Sequence, residues 1–245
     1  MPRAGLVFHA VYGAVCGTHP DLKPWHFQWL ATKDLYRELG VLAPQLKGRI
    51  LDVGCGRKPY RRWFTAANEY VGLDITADSD ADIVVVPGER WPLEDASFDA
   101  VFSTQVLEHV RDFDNVRSEI GRVLKPRGRA VVSLPFIYSE HGAPDDFRRF
   151  SAYGAAQIFP ADWEILKVSR LGSVGSSLGV LFLNWIDVSL SKTRPTKILK
   201  VALLPAWIFV SAIVNAVGAI LDSVGDQSIT YVNVLLVFAK PGAEG

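Results

Sequence analysis

Two acidic residues and two glycines end consecutive apolar segments in the first third of the chain. Asp52 precedes a Gly-x-Gly turn formed by Gly54 and Gly56, and Asp74 ends the next apolar segment. Because glycine has no Cβ, the backbone of this turn can approach a ligand closely. An acid at the tip of the next parallel strand can accept hydrogen bonds from both hydroxyls of a ribose. The spacing therefore predicts a pocket for a nucleoside-containing cofactor.

The residues after this turn distinguish between two such cofactors. A dinucleotide-binding turn has the pattern G-x-G-x-x-G, which places a pyrophosphate on a helix N-terminus. Here Pro59 occupies the third glycine position and follows Arg57 and Lys58. Asp52 also suits a cationic amino-acid group better than a pyrophosphate. The pattern favours S-adenosylmethionine, and NAD stays open as an alternative.

Apolar segments and one amphipathic helix continue beyond this region. A helix is predicted over 113–124, where apolar residues recur at helical spacing. Pro126 and Gly128 follow it, as expected past a helix C-terminus. Further strands are predicted over 82–86, 129–134, 163–171 and 230–239, and residues 91–102 are predicted to form a turn that enters another strand.

Together, these segments resemble the class I S-adenosylmethionine-dependent methyltransferases. The matching segments are LDVGCG (51–56), YVGLDI (70–75), WPLEDASFDAVFSTQVLEHV (91–110) and RVLKPRGRAVVSLP (122–135). The resemblance covers about 49–170 and implies an α/β fold with a Rossmann-like, seven-stranded, mostly parallel sheet. An apolar helical insertion is expected between strands six and seven.

The resemblance also implies roles for individual residues. Asp52 and the turn Gly54-Cys55-Gly56 would line the methionine end of S-adenosylmethionine, Asp74 would bind its ribose, and Gln105 would border the transferred methyl group. Pro87 stands where the family often has an acid that contacts the adenine, so no adenine contact is assigned.

Local structural roles remain alternatives for several of these residues. Asp52 could cap the turn that follows it, and Asp74 could be a simple strand-end acid. Cys55 is expected to pack tightly rather than act as a nucleophile, because no base lies near it in the sequence. Helix capping or a surface contact explains Glu108 and His109 as well as chemistry does.

A second group of reactive side chains, HGAPDDFRRF (141–150), follows the fifth predicted strand. Parallel α/β sheets bind ligands on that side, beyond the carboxyl ends of the strands. The segment resembles one in bacterial methyltransferases of a methyltransferase-11-like subgroup, which are often associated with cell-surface glycans or secondary metabolites.

Methylation of a hydroxyl benefits from a base with a pKa near neutrality, and histidine is the natural candidate. His141 is the predicted base, Asp145 or Asp146 would orient it, and Arg148 would contact an anion. An internal salt-bridge cluster that fixes this loop is an equally favoured alternative.

The composition limits the classes of partner. The chain of 245 residues has 26 basic and 26 acidic residues, so no bulk charge favours nucleic acid. Cys16 and Cys55 provide no disulfide framework, which fits a reducing compartment. Residues 1–20 have no convincing signal peptide, and no clustered ligand spacing predicts a metal site. We therefore expect a cytoplasmic protein without a metal site of its own, and a magnesium ion that bridges to the substrate stays open as an alternative.

We divide the chain into a helical lid or preface over 1–48, a core over 49–173 and 227–245, and an apolar insertion over 174–226. Val201–Leu221 has no charged residue and is long enough to cross a bilayer. A second uncharged run covers Leu171–Ile186. Basic residues lie between the two runs: Lys192, Arg194, Lys197 and Lys200.

Three interpretations of the insertion stay open. A single crossing would place the seventh strand on the wrong side of the membrane for its sheet. A monotopic hairpin on the inner face of the plasma membrane avoids this conflict, with the basic connector against anionic head groups. The third is a helical subdomain that packs on the core or across a homodimer.

The sequence thus predicts an S-adenosylmethionine-dependent O-methyltransferase. The expected acceptor is a glycan, a lipid-linked compound or a secondary metabolite, and no nucleic acid is expected. Carbon methylation of a related acceptor is the nearest alternative. A catalytically silent, membrane-anchored scaffold that binds the cofactor is an alternative of another class.

Overall fold

The computed structural model describes residues 3–226 and 229–242. Positions 1–2, 227–228 and 243–245, which belong to the predicted segments 1–48 and 227–245, lie outside the described residues. The chain folds into two compact units. Unit 1 comprises 1–36, 137–139 and 171–232, and unit 2 comprises 37–136, 140–170 and 233–245. The predicted boundaries at 48, 173 and 227 stay a prediction.

Seven strands form one sheet in the order β3-β2-β1-β4-β5-β7-β6. The pairs formed among β1 to β5 are parallel, and β7 runs antiparallel to β5. The predicted seven-stranded, mostly parallel α/β sheet is therefore confirmed. The strands are β1 (Gly48–Val53), β2 (Ala67–Asp74), β3 (Ile83–Val84), β4 (Phe98–Thr104), β5 (Leu124–Pro135), β6 (Glu164–Leu171) and β7 (Asn233–Ala239).

The central strands are apolar and buried, as expected where helices or loops cover both faces of a parallel sheet. In β5 the buried positions include Ala130, Val131 and Leu134, and β7 is buried over nearly its whole length. These strands fix the positions of the loops that follow their carboxyl ends.

Two predictions about this sheet are wrong in extent. The segment 82–86 is not a buried strand, because β3 lies at the sheet edge, pairs only with β2 over two residues, and leaves Val84 half-exposed. The fifth strand begins at Leu124 rather than at 129. The helix before it therefore ends without an intervening loop, and Pro126 and Gly128 lie within β5.

Two helices accompany the sheet in unit 2: α3 (Phe113–Val123) and the short α4 (Ala152–Ala155). The predicted amphipathic helix corresponds to α3. The Asp112 side chain accepts a hydrogen bond from the backbone N–H of Asn115 at 3.2 Å and caps the first turn. Ile120 and Val123 are fully buried on its inner face.

Four helices belong to unit 1: α1 (Arg3–Cys16), α5 (Val174–Ser189), α6 (Arg194–Ala202) and α7 (Leu204–Val224). A further helix, α2 (Trp29–Leu42), contains the boundary between the units. The basic connector predicted between the two apolar runs is itself helical and forms α6. Thr193 caps α6 in a reciprocal capping box with Thr196.

Asp222 joins several segments of unit 1. Asp222 of α7 accepts hydrogen bonds from the backbone N–H groups of Ser173 (3.1 Å) and Ser176 (2.8 Å) and pairs with Lys33 at 3.3 Å. The chain leaves and re-enters the sheet at adjacent points, because Val232 N–H donates to the carbonyl of Leu171 at 2.9 Å.

Helices α5 and α7 approach closely where two glycines meet. A Cβ built on Gly175 would lie 2.1 Å from the carbonyl oxygen of Gly218, which no side chain tolerates without movement of the backbone. Gly40 in α2 is exposed, and a Cβ there would meet no atom within 4 Å. Gly175 and Gly40 therefore differ in the space that is available to a methyl group.

We expect Gly175→Ala to destabilise the protein by about 1–3 kcal/mol, because overpacking forces α5 and α7 apart. The matched control, Gly40→Ala, should stabilise the protein by about 0.5–1 kcal/mol, because alanine loses less conformational entropy than glycine when a helix forms. Urea unfolding followed by tryptophan fluorescence measures both. Equal effects of the two substitutions would contradict the close α5–α7 packing.

Candidate functional site

The turn after β1 is tied to the end of β2 by backbone hydrogen bonds. The N–H groups of Gly54 and Cys55 donate to the carbonyl of Leu73 at 2.8 and 3.1 Å. The Asp74 carboxylate accepts from the N–H of Gly56 and from the N–H of Thr76, each at 2.9 Å. The structure thus brings together the glycine turn and the acid that the sequence placed in one pocket.

The two glycines of the turn serve different purposes. Both have positive φ, +72° at Gly54 and +49° at Gly56, where side chains are disfavoured. A Cβ on Gly54 would lie 2.4 Å from Cγ2 of Val106, so this glycine is required for packing against the loop after β4. A Cβ on Gly56 would meet nothing within 4 Å. The open space beside Gly56 fits a ligand that approaches the backbone.

Asp52 lies at the buried end of β1, where only 3% of its surface is exposed. Its carboxylate accepts a hydrogen bond from the hydroxyl of Tyr70, a residue that the sequence analysis did not assign to the site. Burial raises the pKa of Asp52 to about 7, although the hydrogen bond from Tyr70 opposes this rise. A cationic ligand group near Asp52 would favour its ionised form.

Gln105, directly after β4, has a left-handed backbone conformation with φ +55°. Its backbone N–H donates to the carbonyl of Ser133 at 3.0 Å, and its side-chain amide donates to the Ser133 hydroxyl at 3.2 Å. Such conformations cost of order 1 kcal/mol for residues other than glycine and concentrate at functional sites. The strand-end loop that carries Gln105 is therefore held in a defined, strained geometry.

A second group of side chains lies beyond β4 and β5 and consists of Glu108, His109 and His141, here named the histidine cluster. The Nε2 atoms of His109 and His141 are 3.1 Å apart, and the two rings are nearly perpendicular at 82°. Oε1 of Glu108 lies 3.8 Å from Nε2 of His109. One potential ligand atom from each residue lies within 4.8 Å of the others.

Neighbouring residues hold both histidine rings in place. Nδ1 of His109 lies 2.5 Å from the backbone carbonyl oxygen of Asp145, and Nδ1 of His141 lies 3.5 Å from a carboxylate oxygen of Asp146. Asp146 also accepts a hydrogen bond from the N–H of His141 at 2.8 Å. The Arg149 guanidinium beside Asp146 holds the pKa of that carboxyl well below its usual range. Asp146, rather than Asp145, therefore faces the ring of His141.

Arg148, predicted to contact an anion, donates to the carbonyl oxygens of Val110 and Arg111, the latter at 3.3 Å. Its guanidinium also lies 5.1 Å from the ring centre of Phe113. These contacts connect the 141–150 loop to the segment before α3.

Glu108 is fully buried, and neither of its carboxylate oxygens has a hydrogen-bond partner within the described part of the chain. Burial raises the pKa of Glu108 to about 7. The sequence analysis considered Glu108 and His109 but gave no indication that they lie beside His141. Their proximity follows from strand pairing: β4 and β5 are parallel neighbours, with Thr104 opposite Ser133, so the loops after these strands begin side by side.

Comparisons with known proteins relate the chain to methyltransferases. The family described as "Methyltransferase domain" matches residues 51–132. A tRNA U34 carboxymethyltransferase of Saccharophagus degradans is 31% identical over 136 residues, which are 48% of this chain and 40% of that protein. A 27-O-demethylrifamycin SV methyltransferase of Amycolatopsis mediterranei is 32% identical over 140 residues, or 50% of this chain and 52% of that protein. The chain thus spans about half the length of these curated relatives.

Among solved structures, the [4+2]-cyclase SpnF has a TM-score of 0.54 and 21% sequence identity, covering 86% of this chain and 81% of that chain. This likeness relates the folds alone. One fold supports several chemistries, so the activity has to be argued from the site.

The buried carboxyl of Asp52 should make stability depend on pH. Its pKa is about 7 in the folded protein and 3.8 ordinarily, so the folded state retains a proton that the unfolded state has lost between these values. The free energy of unfolding should therefore fall as pH rises from about 4 to about 7. Asp52→Asn should reduce this slope by about 1 kcal/mol per pH unit.

Urea unfolding at several pH values measures the slope. Glu108 contributes a slope of the same sign, so Asp52→Asn should reduce the dependence without abolishing it. Asp78, whose side chain is 94% exposed, provides the control substitution Asp78→Asn, which should leave the slope unchanged. An unchanged slope in Asp52→Asn would contradict the raised pKa.

Proposed function

Residues 51–132 form a methyltransferase domain of the class I, S-adenosylmethionine-dependent superfamily, and on this premise we propose that the chain methylates an oxygen atom of its acceptor. The observation that carries the cofactor assignment is the contact between Asp74 and the glycine turn. It places a carboxylate beside backbone that faces open space at Gly56.

The residues around this turn fit the cofactor in charge and hydrogen-bonding capacity. Each oxygen of Asp74 accepts one backbone N–H, and a carboxylate oxygen can accept a second hydrogen bond. Asp74 can therefore still accept both ribose hydroxyls. Asp52 would face the cationic methionine end, which favours its ionised form. The bound cofactor supplies a methyl group on a sulfonium sulfur.

The remaining task of the protein is to place an acceptor oxygen in line with that methyl group. A hydroxyl acceptor loses its proton as the new C–O bond forms and the S–C bond breaks. We assign proton removal to the histidine cluster. It follows β4 and β5 at the carboxyl ends of the parallel strands, where the turn after β1 also lies. Both ring nitrogens of His141 already face neighbours, His109 and Asp146. The cluster as a whole, rather than His141 alone, therefore carries this role.

The proposed acceptor is a hydroxyl of a glycan, a lipid-linked compound or a secondary metabolite. The relative from Amycolatopsis mediterranei is named for methylation at an oxygen, which supports oxygen as the acceptor atom. The relative named for tRNA keeps nucleic acid as a competing acceptor class. An acceptor screen should therefore include tRNA beside small hydroxyl compounds.

We expect Asp74→Ala to weaken S-adenosylmethionine binding at least about tenfold, or about 1.4 kcal/mol, because the ribose hydroxyls lose their acceptor. Isothermal titration calorimetry measures the affinity, and circular dichroism checks the fold of the variant. Asp78→Ala, at an exposed position in the next loop, is the matched control and should bind normally. Unchanged affinity in Asp74→Ala would refute the pocket, and saturable binding of NAD alone would replace the cofactor.

We further propose that unit 1 associates with a membrane surface. Among the described residues, α7 is the one helix long and apolar enough to cross a bilayer by length and composition. Its polar Asn215 points inward and donates to the carbonyls of Pro24 (2.7 Å) and His26 (2.8 Å). Large apolar side chains point outward instead, including Phe209 and Ile220, each 66% exposed. This arrangement is the reverse of an ordinary water-facing helix.

The neighbouring helices also carry exposed apolar side chains, and exposed lysines lie in the same part of the chain. Trp185 of α5 is 66% exposed and Ile198 of α6 is 67% exposed. Lys192 and Lys197 are also exposed in the same part of the chain. Apolar area and lysines together favour the head-group region of an anionic leaflet. A lipid-held acceptor would then be concentrated where the protein resides.

Flotation with phospholipid vesicles tests this proposal. Binding should require anionic lipid, weaken with salt, and fall several-fold in the double variant Trp185→Ser/Phe209→Ser, which removes exposed apolar area. Val84→Ser, at a half-exposed position of β3, is the control and should bind like the wild type. Absence of vesicle binding, with a stable homodimer in size-exclusion chromatography, would assign the apolar surface to a second copy instead.

A further inference from the structure

The two imidazoles of the histidine cluster are spaced like ligands of one metal ion. Nitrogen ligands lie about 2.0–2.1 Å from a tetrahedral Zn²⁺, so two of them on a common ion lie about 3.3 Å apart. The Nε2 atoms of His109 and His141 are 3.1 Å apart. A small shift of the rings would therefore suffice to place an ion between them.

The hydrogen-bond partners of the rings favour a cation at this position. The Nδ1 atoms face the carbonyl of Asp145 and the carboxylate of Asp146, both of which are acceptors. With protons on both Nδ1 atoms, the two Nε2 atoms, which lie 3.1 Å apart, are both available as ligands. A cation beside them would be bound by both rings. Oriented imidazoles of this kind are typical of metal ligands.

Glu108 supplies a third potential ligand beside the histidine pair. It is a fully buried carboxylate without a hydrogen-bond partner in the described structure, and Oε1 lies 3.8 Å from Nε2 of His109. A buried charge is costly unless it is paired or coordinates a metal. The nearby guanidinium of Arg149 is engaged with Asp146. An ion between the histidines would therefore give Glu108 the partner that it lacks.

We propose that Glu108, His109 and His141 bind one divalent transition-metal ion, with Zn²⁺ as the reference ion. Two imidazoles and one carboxylate suit zinc, manganese, iron or cobalt, whereas magnesium and calcium prefer oxygen ligands throughout. Three protein ligands leave a position for water or substrate. The sequence did not indicate this site, because residues 108 and 109 meet residue 141 only through the pairing of β4 with β5.

The role of the ion in catalysis rests on the proposed function, whereas the site itself does not. An acceptor hydroxyl in the open position would coordinate through its oxygen, and the ion would lower its pKa. With the ion bound, the histidines would be ligands, so the cluster would promote proton loss through the ion instead of acting as the base. The proton would leave to solvent water, and the oxygen would attack the methyl carbon as the S–C bond breaks.

The test uses the purified full chain after dialysis against a chelator. Zn²⁺ is titrated by calorimetry, and Co²⁺ is titrated by its visible absorption. We expect one ion per chain, and His141→Ala and Glu108→Gln should each lower the affinity by more than about tenfold. The control is His19→Ala, because His19 and His26 form another neighbouring histidine pair, with ring centres 6.1 Å apart. This variant should bind the ions normally.

S-adenosylmethionine titration of the same variants shows that they are folded. Zn²⁺ binding weaker than about 10 µM in the wild-type protein would overturn the metal site and assign a shared proton to the histidine pair. Binding that persists in both His141→Ala and Glu108→Gln, or that is lost in His19→Ala, would overturn it as well. Each of these results, with S-adenosylmethionine binding retained, leaves the proposed function standing.

Discussion

Parallel pairing of the central strands is the constraint on which the rest of the structure depends. Asp52 of β1 lies opposite Gly72 of β2, and Thr104 of β4 lies opposite Ser133 of β5. With these pairings fixed, the loops after β1, β2, β4 and β5 all emerge at the carboxyl ends of the parallel strands. The glycine turn then meets Asp74, and the loop after β4 meets the loop after β5. A shift of one residue in either pairing would also move the side chains of that strand to the opposite face of the sheet.

Both groups of candidate residues keep a carboxyl group away from water. Asp52 has Tyr70 as a partner, whereas Glu108 has no hydrogen-bond partner in the described structure. Burial of such groups opposes folding, and the apolar central strands have to offset that cost. The ion pair between Asp146 and Arg149 has a different effect, because it fixes the loop that carries His141. The site thus combines a rigid frame with acids whose ionisation responds to what binds beside them.

Much of the fold followed from local patterns in the sequence. Apolar runs bounded by glycine and acids located most strands, and helical spacing located α3. Local patterns do not show where a strand lies within its sheet. They therefore predict a buried strand over 82–86, whereas β3 lies at the edge of the sheet. They also do not show contacts between distant segments. Tyr70 and the pairing of His109 with His141 depend on strand order, which only the folded chain reveals.

The hydrogen bond between Leu171 and Val232 brings the two ends of the long apolar segment together. The long apolar segment begins and ends at neighbouring points of the backbone, so its length places no strain on the strands that it joins. Segments with adjacent ends tolerate insertion and replacement well. The helices α5 to α7 could therefore change in length while the strand order stays constant. The surface that unit 1 presents could change in this way without any change in the loops at the carboxyl ends of the strands.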